Sequence, residues 1–264
     1  MNIIKQEFKQ NFKSWLIWFV SLSVFVTIMM LEFSAYKDNP ELLAVLDAFP
    51  KEMLEAFGLN SASLTTVSGF VSVSMLYMQL MAGIYAIMLG ANQLAKERKS
   101  KTSEFIFVMP VKREVLLSYK WIVGLIYCGL MSISIHGIMI VSTLRYEPEV
   151  SFYQYISLSI LAMFILLSLF MSLGLLLASV LLRPKLSLMI GPIIVFVMYI
   201  MSVMIGLVEA LSWLRYLTPF EYFDPSVLLS SMSISWEYTS LSLVFMLVAI
   251  IMTMVAYHKK DIPV

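Results

Sequence analysis

Charged residues are scarce in this sequence, and their scarcity excludes an ordinary water-soluble fold. Only 13% of the residues are Asp, Glu, Lys or Arg, whereas soluble domains carry about a quarter. Hydrophobic residues make up 60% of the chain, which is more apolar surface than a soluble fold could cover. Most of the 264 residues therefore have lipid as their solvent.

Cysteine and histidine are also rare, which removes two kinds of site. One cysteine, Cys128, provides neither a disulfide framework nor a cluster of thiolate metal ligands. The two histidines, His136 and His258, are far apart in the sequence and do not indicate a metal site. For His136, inside an apolar run, hydrogen-bonded packing is the favoured role, and contact with a proton or a substrate is the alternative.

Phosphate-binding and catalytic motifs are missing too. None of the ten glycines is followed by lysine, so the chain has no P-loop and we expect any ATP to be bound by another chain. Carboxylates are nearly absent from the apolar runs, with Glu32 and Glu209 at predicted ends, which argues against a proton-coupled carrier. No catalytic dyad lies at mid-membrane depth, so we expect no enzyme activity in this chain.

Long apolar runs dominate what is present. Each is continuous rather than alternating, and long enough to cross about 30 Å of hydrocarbon, which predicts helices rather than barrel strands. The sequence thus predicts an all-α membrane protein with one transmembrane domain over residues 1–264. The six predicted spans are 15–33, 67–89, 121–144, 155–182, 188–208 and 241–257.

Basic residues are distributed unevenly between the two sides of this arrangement. With both termini on one side, that side holds 14 of the 18 Lys and Arg residues and 5 of the 17 acidic ones, a net +9. The other side is left with a net −8. Because basic residues concentrate on the cytoplasmic side, both termini are predicted to be cytoplasmic. Dispersed along the membrane flanks, they do not indicate nucleic-acid binding.

Three connecting segments have amphipathic patterns. Residues 1–14 predict an interfacial helix, which either anchors the first span or helps to form a docking surface. Residues 40–58 predict two short helices on the outer leaflet, for structural cover or for substrate handling. The outer hairpin, 209–238, contains Trp213, Pro219 and Phe220, and is apolar enough to enter the membrane partly.

The segment 94–120, predicted to be cytoplasmic, has an apolar patch at 105–109 among charged residues. The patch is too short to span and too apolar to stay in water, which predicts a covering partner. Pro110 then suits the first turn of a new helix leading into the third span. In the alternative interpretation, this segment has no partner and its charged residues only form a face in contact with water.

These segments together resemble the permease subunit of an ABC-2 type ABC exporter. In that family, a glutamate-rich stretch and a coupling segment follow the second span, and a proline with basic residues precedes the third. The coupling segment departs from the family at one position, since Lys101 stands where a glycine often precedes the threonine. The outer hairpin is similar to the family's half-embedded hairpin. The residues matched to ATPase coupling are Glu97, Thr102, Glu104, Phe105, Ile106, Phe107, Met109, Pro110, Lys112 and Arg113.

The resemblance implies partners and a cargo. Two copies of a separate ATPase, with ATP and Mg, would act on this chain and on a second permease, identical or sister. The cargo would be hydrophobic or amphipathic, such as a peptide, an antibiotic or a lipid, and the location a bacterial cell membrane. The alternatives are a stand-alone channel, an intramembrane enzyme and a sensory membrane subunit.

Overall fold

The structure, a computed structural model, describes residues 3–37, 48–50, 54, 64–99, 113–181 and 183–259. These ranges contain eight α-helices and two 3₁₀ segments, with no β-strand among them, which confirms the predicted all-α fold. The elements are α1 (Ile3–Tyr36), α2 (Val67–Lys99), α3 (Arg113–Thr143), a 3₁₀ turn (Leu144–Tyr146), α4 (Val150–Val180), α5 (Pro184–Leu207), a 3₁₀ segment (Glu209–Leu217), α6 (Pro219–Tyr222), α7 (Pro225–Ser231) and α8 (Trp236–Lys259).

Six of these helices, α1 to α5 and α8, are long and apolar enough to cross a membrane, so the chain is a multi-pass membrane protein. Each corresponds to one predicted span, although the predicted ends at 144, 182 and 208 lie one or two residues past the ends of α3, α4 and α5. The first four have 31 to 34 residues, or roughly 50 Å at 1.5 Å per residue. They therefore extend beyond the apolar runs, because a helix continues through flanking charged residues where hydropathy stops.

The first helix differs from the expectation. A separate interfacial helix over 1–14 was predicted before the first span, but α1 runs through Ile3–Tyr36 as a single helix. That range contains no glycine or proline, so no residue favours a break. The polar first turns and the apolar run therefore belong to one element.

The bundle is built around α2 and α4, which make the most extensive pairing. Helix α1 packs mainly on α3, α5 packs on α2, and α8 packs on α4. The outward faces of α1, α5 and α8 remain apolar and exposed, as contact with lipid requires. All six long helices contribute side chains to one continuous apolar core.

The bundle has two ends that differ in what they carry. The loop end comprises the start of α1, the end of α2 and the starts of α3 and α5; it carries the segment 100–112. The hairpin end carries the 3₁₀ segment Glu209–Leu217 with α6 and α7. The two helices predicted over 40–58 and the segment 100–112 lie largely or wholly outside the described residues.

Candidate functional site

A buried polar cluster lies where α1, α2 and α3 meet at the loop end. Lys120 Nζ donates hydrogen bonds to Glu7 Oε1 at 2.5 Å and to the Gln93 backbone oxygen at 3.1 Å. Lys120 is 1% exposed and Glu7 is 9% exposed, so both charges are withdrawn from water. Because a buried charge is tolerated only with a partner, this ion pair holds α1 against α3.

A second connection joins α1 to the end of α2. Lys96 Nζ donates to Asn11 Oδ1 at 3.2 Å and to the Gln10 backbone oxygen at 3.3 Å. Asn11 Nδ2 in turn donates to the Glu7 backbone oxygen at 3.0 Å. The side chains that face the bundle from the first turns of α1 therefore reach both helices that carry the segment 100–112.

Aromatic residues continue the cluster into the bundle. Tyr127 of α3 stacks on Phe8 with 4.7 Å between ring centroids, and its hydroxyl donates to the Phe8 backbone oxygen. Trp121 Nε1 donates to Ser172 Oγ of α4 at 3.1 Å. Helices α1, α2, α3 and α4 are thus tied together at one end, and a displacement of the α2 or α3 terminus reaches all four.

The residues predicted to couple to an ATPase are placed only in part. Glu97 lies in the last turn of α2, and Arg113 begins α3. The rest, namely Thr102, Glu104, Phe105, Ile106, Phe107, Met109, Pro110 and Lys112, lie outside the described residues. The structure describes the helices on either side of this segment, and the buried cluster that holds them.

Sequence reasoning did not find this cluster, although the sequence holds a signal for it. Glu7 and Lys120 were counted only as charges on one side of the membrane. Glu7 is, however, the one acidic residue among three lysines in residues 1–14, and it is two positions from Lys5 and from Lys9. Residues two apart lie about 200° apart on a helix, so Glu7 faces away from the lysines.

At the hairpin end, the three residues singled out from the sequence separate into two environments. Trp213 is 63% exposed, whereas Pro219 and Phe220 are buried at the start of α6. The Phe220 ring lies 5.4 Å from that of Phe170 in α4 and 5.6 Å from that of Tyr199 in α5. Phe220 therefore fills a space between two spans, while Trp213 remains at the surface.

Polar contacts fasten the hairpin to α5. Thr218 Oγ1 donates to the Met198 backbone oxygen at 2.9 Å, and Ser202 Oγ donates to Glu221 Oε1 at 2.6 Å. Arg215 pairs with the other Glu221 oxygen at 3.3 Å. Burial raises the pKa of the Glu221 carboxyl, an effect that Ser202 opposes by its hydrogen bond and Arg215 by its charge.

Further contacts fasten the hairpin to α2 and α8. Gln79 Nε2 donates to the Phe223 backbone oxygen at 2.8 Å. Tyr222 stacks on Tyr238 with 5.1 Å between ring centroids, and its hydroxyl donates to the Tyr216 backbone oxygen. Burial, with the neighbouring Tyr238, raises the pKa of Tyr222 to about 12. With the Phe220–Phe170 contact, the hairpin is thus fixed to four spans, α2, α4, α5 and α8.

Between the two ends, α2 and α4 are in backbone contact. A Cβ atom on Gly90 would lie 2.0 Å from the Met171 backbone oxygen, and one on Gly174 would lie 2.1 Å from the Ile87 backbone oxygen. Phe170, one position before Met171 in α4, contacts Phe220 of the hairpin. The loop end and the hairpin end are therefore joined through two closely packed helices.

Metal ligands do not converge in the part of the chain that the structure describes, where no group of three His, Cys, Asp or Glu forms. His136 is fully buried in α3, and its Nδ1 lies 2.8 Å from the Ser132 backbone oxygen. That contact supports the packing role favoured for this residue. The polar residues at both ends fix helices in place.

In a comparison with protein-family models, the model described as ABC-2 family transporter protein matches residues 1–262. No curated protein matches the chain. The match includes all six membrane-spanning helices, the loop end and the hairpin.

Proposed function

This chain belongs to the ABC-2 family of transporter proteins, and on that premise we propose that it is the permease subunit of an ATP-driven exporter. A separate ATPase, in two copies, binds and hydrolyses ATP with Mg, since the chain has no phosphate-binding loop of its own. A second permease, identical or sister, completes the pathway. The complex lies in a bacterial cell membrane and moves its cargo out of the cytoplasm.

The observation that carries this proposal is the buried ion pair between Glu7 and Lys120. Segment 100–112 leaves the membrane domain between α2 and α3, and the cluster ties both helices to α1. An ATPase that moves this segment would therefore move a braced group of helices, as a coupling between distinct sites requires. If α2 and α3 were not held to α1, movement of the segment would not be transmitted to the other helices.

Transmission across the membrane would use the contact between α2 and α4. These helices approach at Gly90 and Gly174 with backbone against backbone, so one cannot shift far without the other. At the hairpin end, Gln79 of α2 holds the Phe223 carbonyl and Phe170 of α4 contacts Phe220. Movement at the loop end would thereby reach the hairpin, which we propose controls release on the outer side.

The proposed cargo is hydrophobic or amphipathic: a peptide, an antibiotic or a lipid. Among the described residues, the buried charged side chains, Glu7 and Lys120, lie at the loop end, and the half-buried Glu221 lies at the hairpin end. Between them the core is apolar or weakly polar. A strongly charged cargo would have no counter-charge along that length.

The test is purification of the tagged chain in mild detergent with whatever stays bound, followed by an ATPase assay. We expect a nucleotide-binding subunit to co-purify and to hydrolyse ATP faster with the wild-type chain than alone. Phe105→Asp with Phe107→Asp should abolish both effects, because it puts charge into the apolar patch. Leu186→Asp, at an exposed position of the same end, is the control and should leave both intact.

Three results would contradict the proposal. A chain that purifies without any nucleotide-binding subunit would favour a stand-alone channel. A subunit that still binds and is still stimulated by the Phe105→Asp and Phe107→Asp variant would show that the patch is not the coupling surface. Binding without any stimulation by cargo would favour a sensory subunit.

A further inference from the structure

The first three turns of α1 carry an exposed row of lysines. Lys5, Lys9 and Lys13 are each exposed and are spaced by four residues, so they follow one face of the helix. Within the described ranges, none of the three has an ion-pair partner. A row of three cations with no counter-charge beside it is a binding surface for anions.

The direction of this row is fixed by the opposite face of the helix. Glu7 and Asn11 are buried against α3 and α2. Each lies two positions from a lysine, or about 200° around the helix. The lysines therefore point away from the bundle, sideways along the membrane surface.

Apolar side chains accompany the lysines on the free side of α1. Ile4, Phe12 and Leu16 are 38%, 47% and 41% exposed, respectively. Exposed apolar groups beside cations match the boundary between acyl chains and headgroups, where both kinds of group find a partner. A purely aqueous surface would leave these apolar groups in contact with water.

The depth of the lysines agrees with that boundary. The apolar run 15–33 has the length of the hydrocarbon layer, about 30 Å. At 1.5 Å per residue along the helix, Lys13, Lys9 and Lys5 then lie about 3, 9 and 15 Å beyond its edge. Headgroups occupy the first part of that range, and the potential of an anionic surface extends about 8 Å further.

We propose that Lys5, Lys9 and Lys13 form a binding surface for anionic phospholipids in the leaflet at the loop end. Lys13 and Lys9 lie near the depth of the headgroup phosphates, and Lys5 lies in the attractive potential beyond them. Leu16 lies against the acyl chains, and Phe12 lies about 5 Å past their edge. This inference goes beyond the proposed function and does not depend on it. It requires only that α1 spans a bilayer.

The test uses the full-length chain reconstituted in vesicles of equimolar phosphatidylglycerol and phosphatidylcholine. Native mass spectrometry then counts the molecules of each lipid that stay bound to the intact protein. We expect the wild-type chain to retain phosphatidylglycerol selectively. Each lysine near an anionic surface contributes about fivefold in affinity. The triple variant Lys5→Gln, Lys9→Gln, Lys13→Gln should therefore lower the selectivity for phosphatidylglycerol over phosphatidylcholine by about tenfold or more.

Two controls separate this surface from charge in general. The variant with arginine at the same three positions keeps the charge and should retain phosphatidylglycerol as the wild type does. Arg183→Gln with Lys185→Gln removes exposed charges at another turn of the loop end and should change nothing. Selectivity that survives the glutamine variant, or falls equally in the Arg183 and Lys185 variant, would overturn the inference.

A third outcome would also overturn it. If the glutamine variant keeps its phosphatidylglycerol but loses the co-purified ATPase, the lysines face a protein partner and not the lipid. Loss of phosphatidylglycerol with the ATPase still bound would support the inference whatever the fate of the exporter proposal.

Discussion

Lys120 holds an ammonium group at a position where the residue is 1% exposed. Withdrawing such a group from water costs several kcal/mol, and only a close counter-charge with further hydrogen bonds offsets that cost. Glu7 supplies the counter-charge, and the Gln93 carbonyl supplies a further acceptor. The pair is thus a specific connection between α1 and α3, since either charge alone would be unfavourable there.

Breaking the pair from one side should therefore be worse than removing it altogether. We expect Glu7→Gln to lower the free energy of unfolding by about 3 kcal/mol or more, because it removes the carboxylate paired with a buried ammonium group. Glu7→Leu combined with Lys120→Met should lie closer to the wild type. Reversible unfolding in detergent micelles, followed by helix content, measures both.

The comparison also separates stability from coupling. If the double variant is stable but no longer stimulates an ATPase partner, the pair transmits movement as well as holding the fold. Wild-type stability of Glu7→Gln would show instead that Lys120 finds other compensation and that α1 is held by its apolar contacts.

At this scale the sequence predicts less than at any other. Hydropathy indicated that His136 is buried, and the structure agrees. It could not indicate that Glu7 pairs with Lys120, 113 positions away, because that requires knowing which helices are neighbours. Glu221 was missed for the same reason, since its partner Ser202 lies on a different element.

Helices α2 and α4 form the element pair on which the rest of the bundle depends. Their contact is backbone to backbone at Gly90 and Gly174, in the manner of small-residue crossings in membranes, where packing rather than the hydrophobic effect drives association. The sequence has a small-residue pattern typical of such contacts at Ala86-x-x-x-Gly90, and the structure shows a contact of this kind at Gly90. Gly174 belongs to a second such pattern, Gly174-x-x-x-Ala178, which was not singled out from the sequence.

Adding a methyl group at this crossing should separate the helices. We expect Gly90→Ala and Gly174→Ala each to destabilise the protein by about 1–3 kcal/mol or more, because the obstructing atoms belong to the opposite backbone and cannot rotate away. Gly137→Ala is the matched control, since nothing lies within 4 Å of a Cβ there. Thermal denaturation in micelles gives the order of the three.

The control variant Gly137→Ala is expected to change stability in the opposite direction. Alanine in place of an unconstrained helical glycine stabilises by about 0.4–1 kcal/mol, so Gly137→Ala should denature at the wild-type temperature or slightly above. If all three variants behave alike, helix propensity rather than the α2–α4 contact governs the result.

The elements themselves were largely predictable. Six apolar runs gave six helices, because a run of this length in lipid has no other regular structure available. Their ends were predicted less well: α4 begins at Val150 and α8 at Trp236, before the runs that start at 155 and 241. The helix predicted between Pro110 and the third span is present, as the first turns of α3 from Arg113. The 3₁₀ segment Glu209–Leu217 had no signal in hydropathy, because its shape depends on contacts with α5.

For the molecule as a whole, the sequence specified the number of spans, and the structure supplied their arrangement. Hydropathy has no information on which helices touch, so the central position of α2 and α4 and the outer position of α1, α5 and α8 came only from the structure. The charges of the connecting segments nevertheless make a further whole-molecule prediction. They orient the bundle with its loop end in the cytoplasm.

Cysteine labelling can test this orientation because the natural cysteine does not interfere. Cys128 is fully buried, so the wild-type chain should not react with a membrane-impermeant maleimide. Ser233→Cys and Glu149→Cys, both at exposed positions of the hairpin end, should react in intact cells. Lys185→Cys, exposed at the loop end, should react only after the membrane is permeabilised.

The labelling pattern bears on every proposal made for this chain. With the loop end inside, segment 100–112 and the lysine row of α1 lie where an ATPase has access to ATP and where the inner leaflet supplies anionic lipid. An inverted pattern would place 14 of the 18 basic residues outside, against the positive-inside rule. The coupling proposal would then fail, because no cytoplasmic ATPase could reach the segment between α2 and α3.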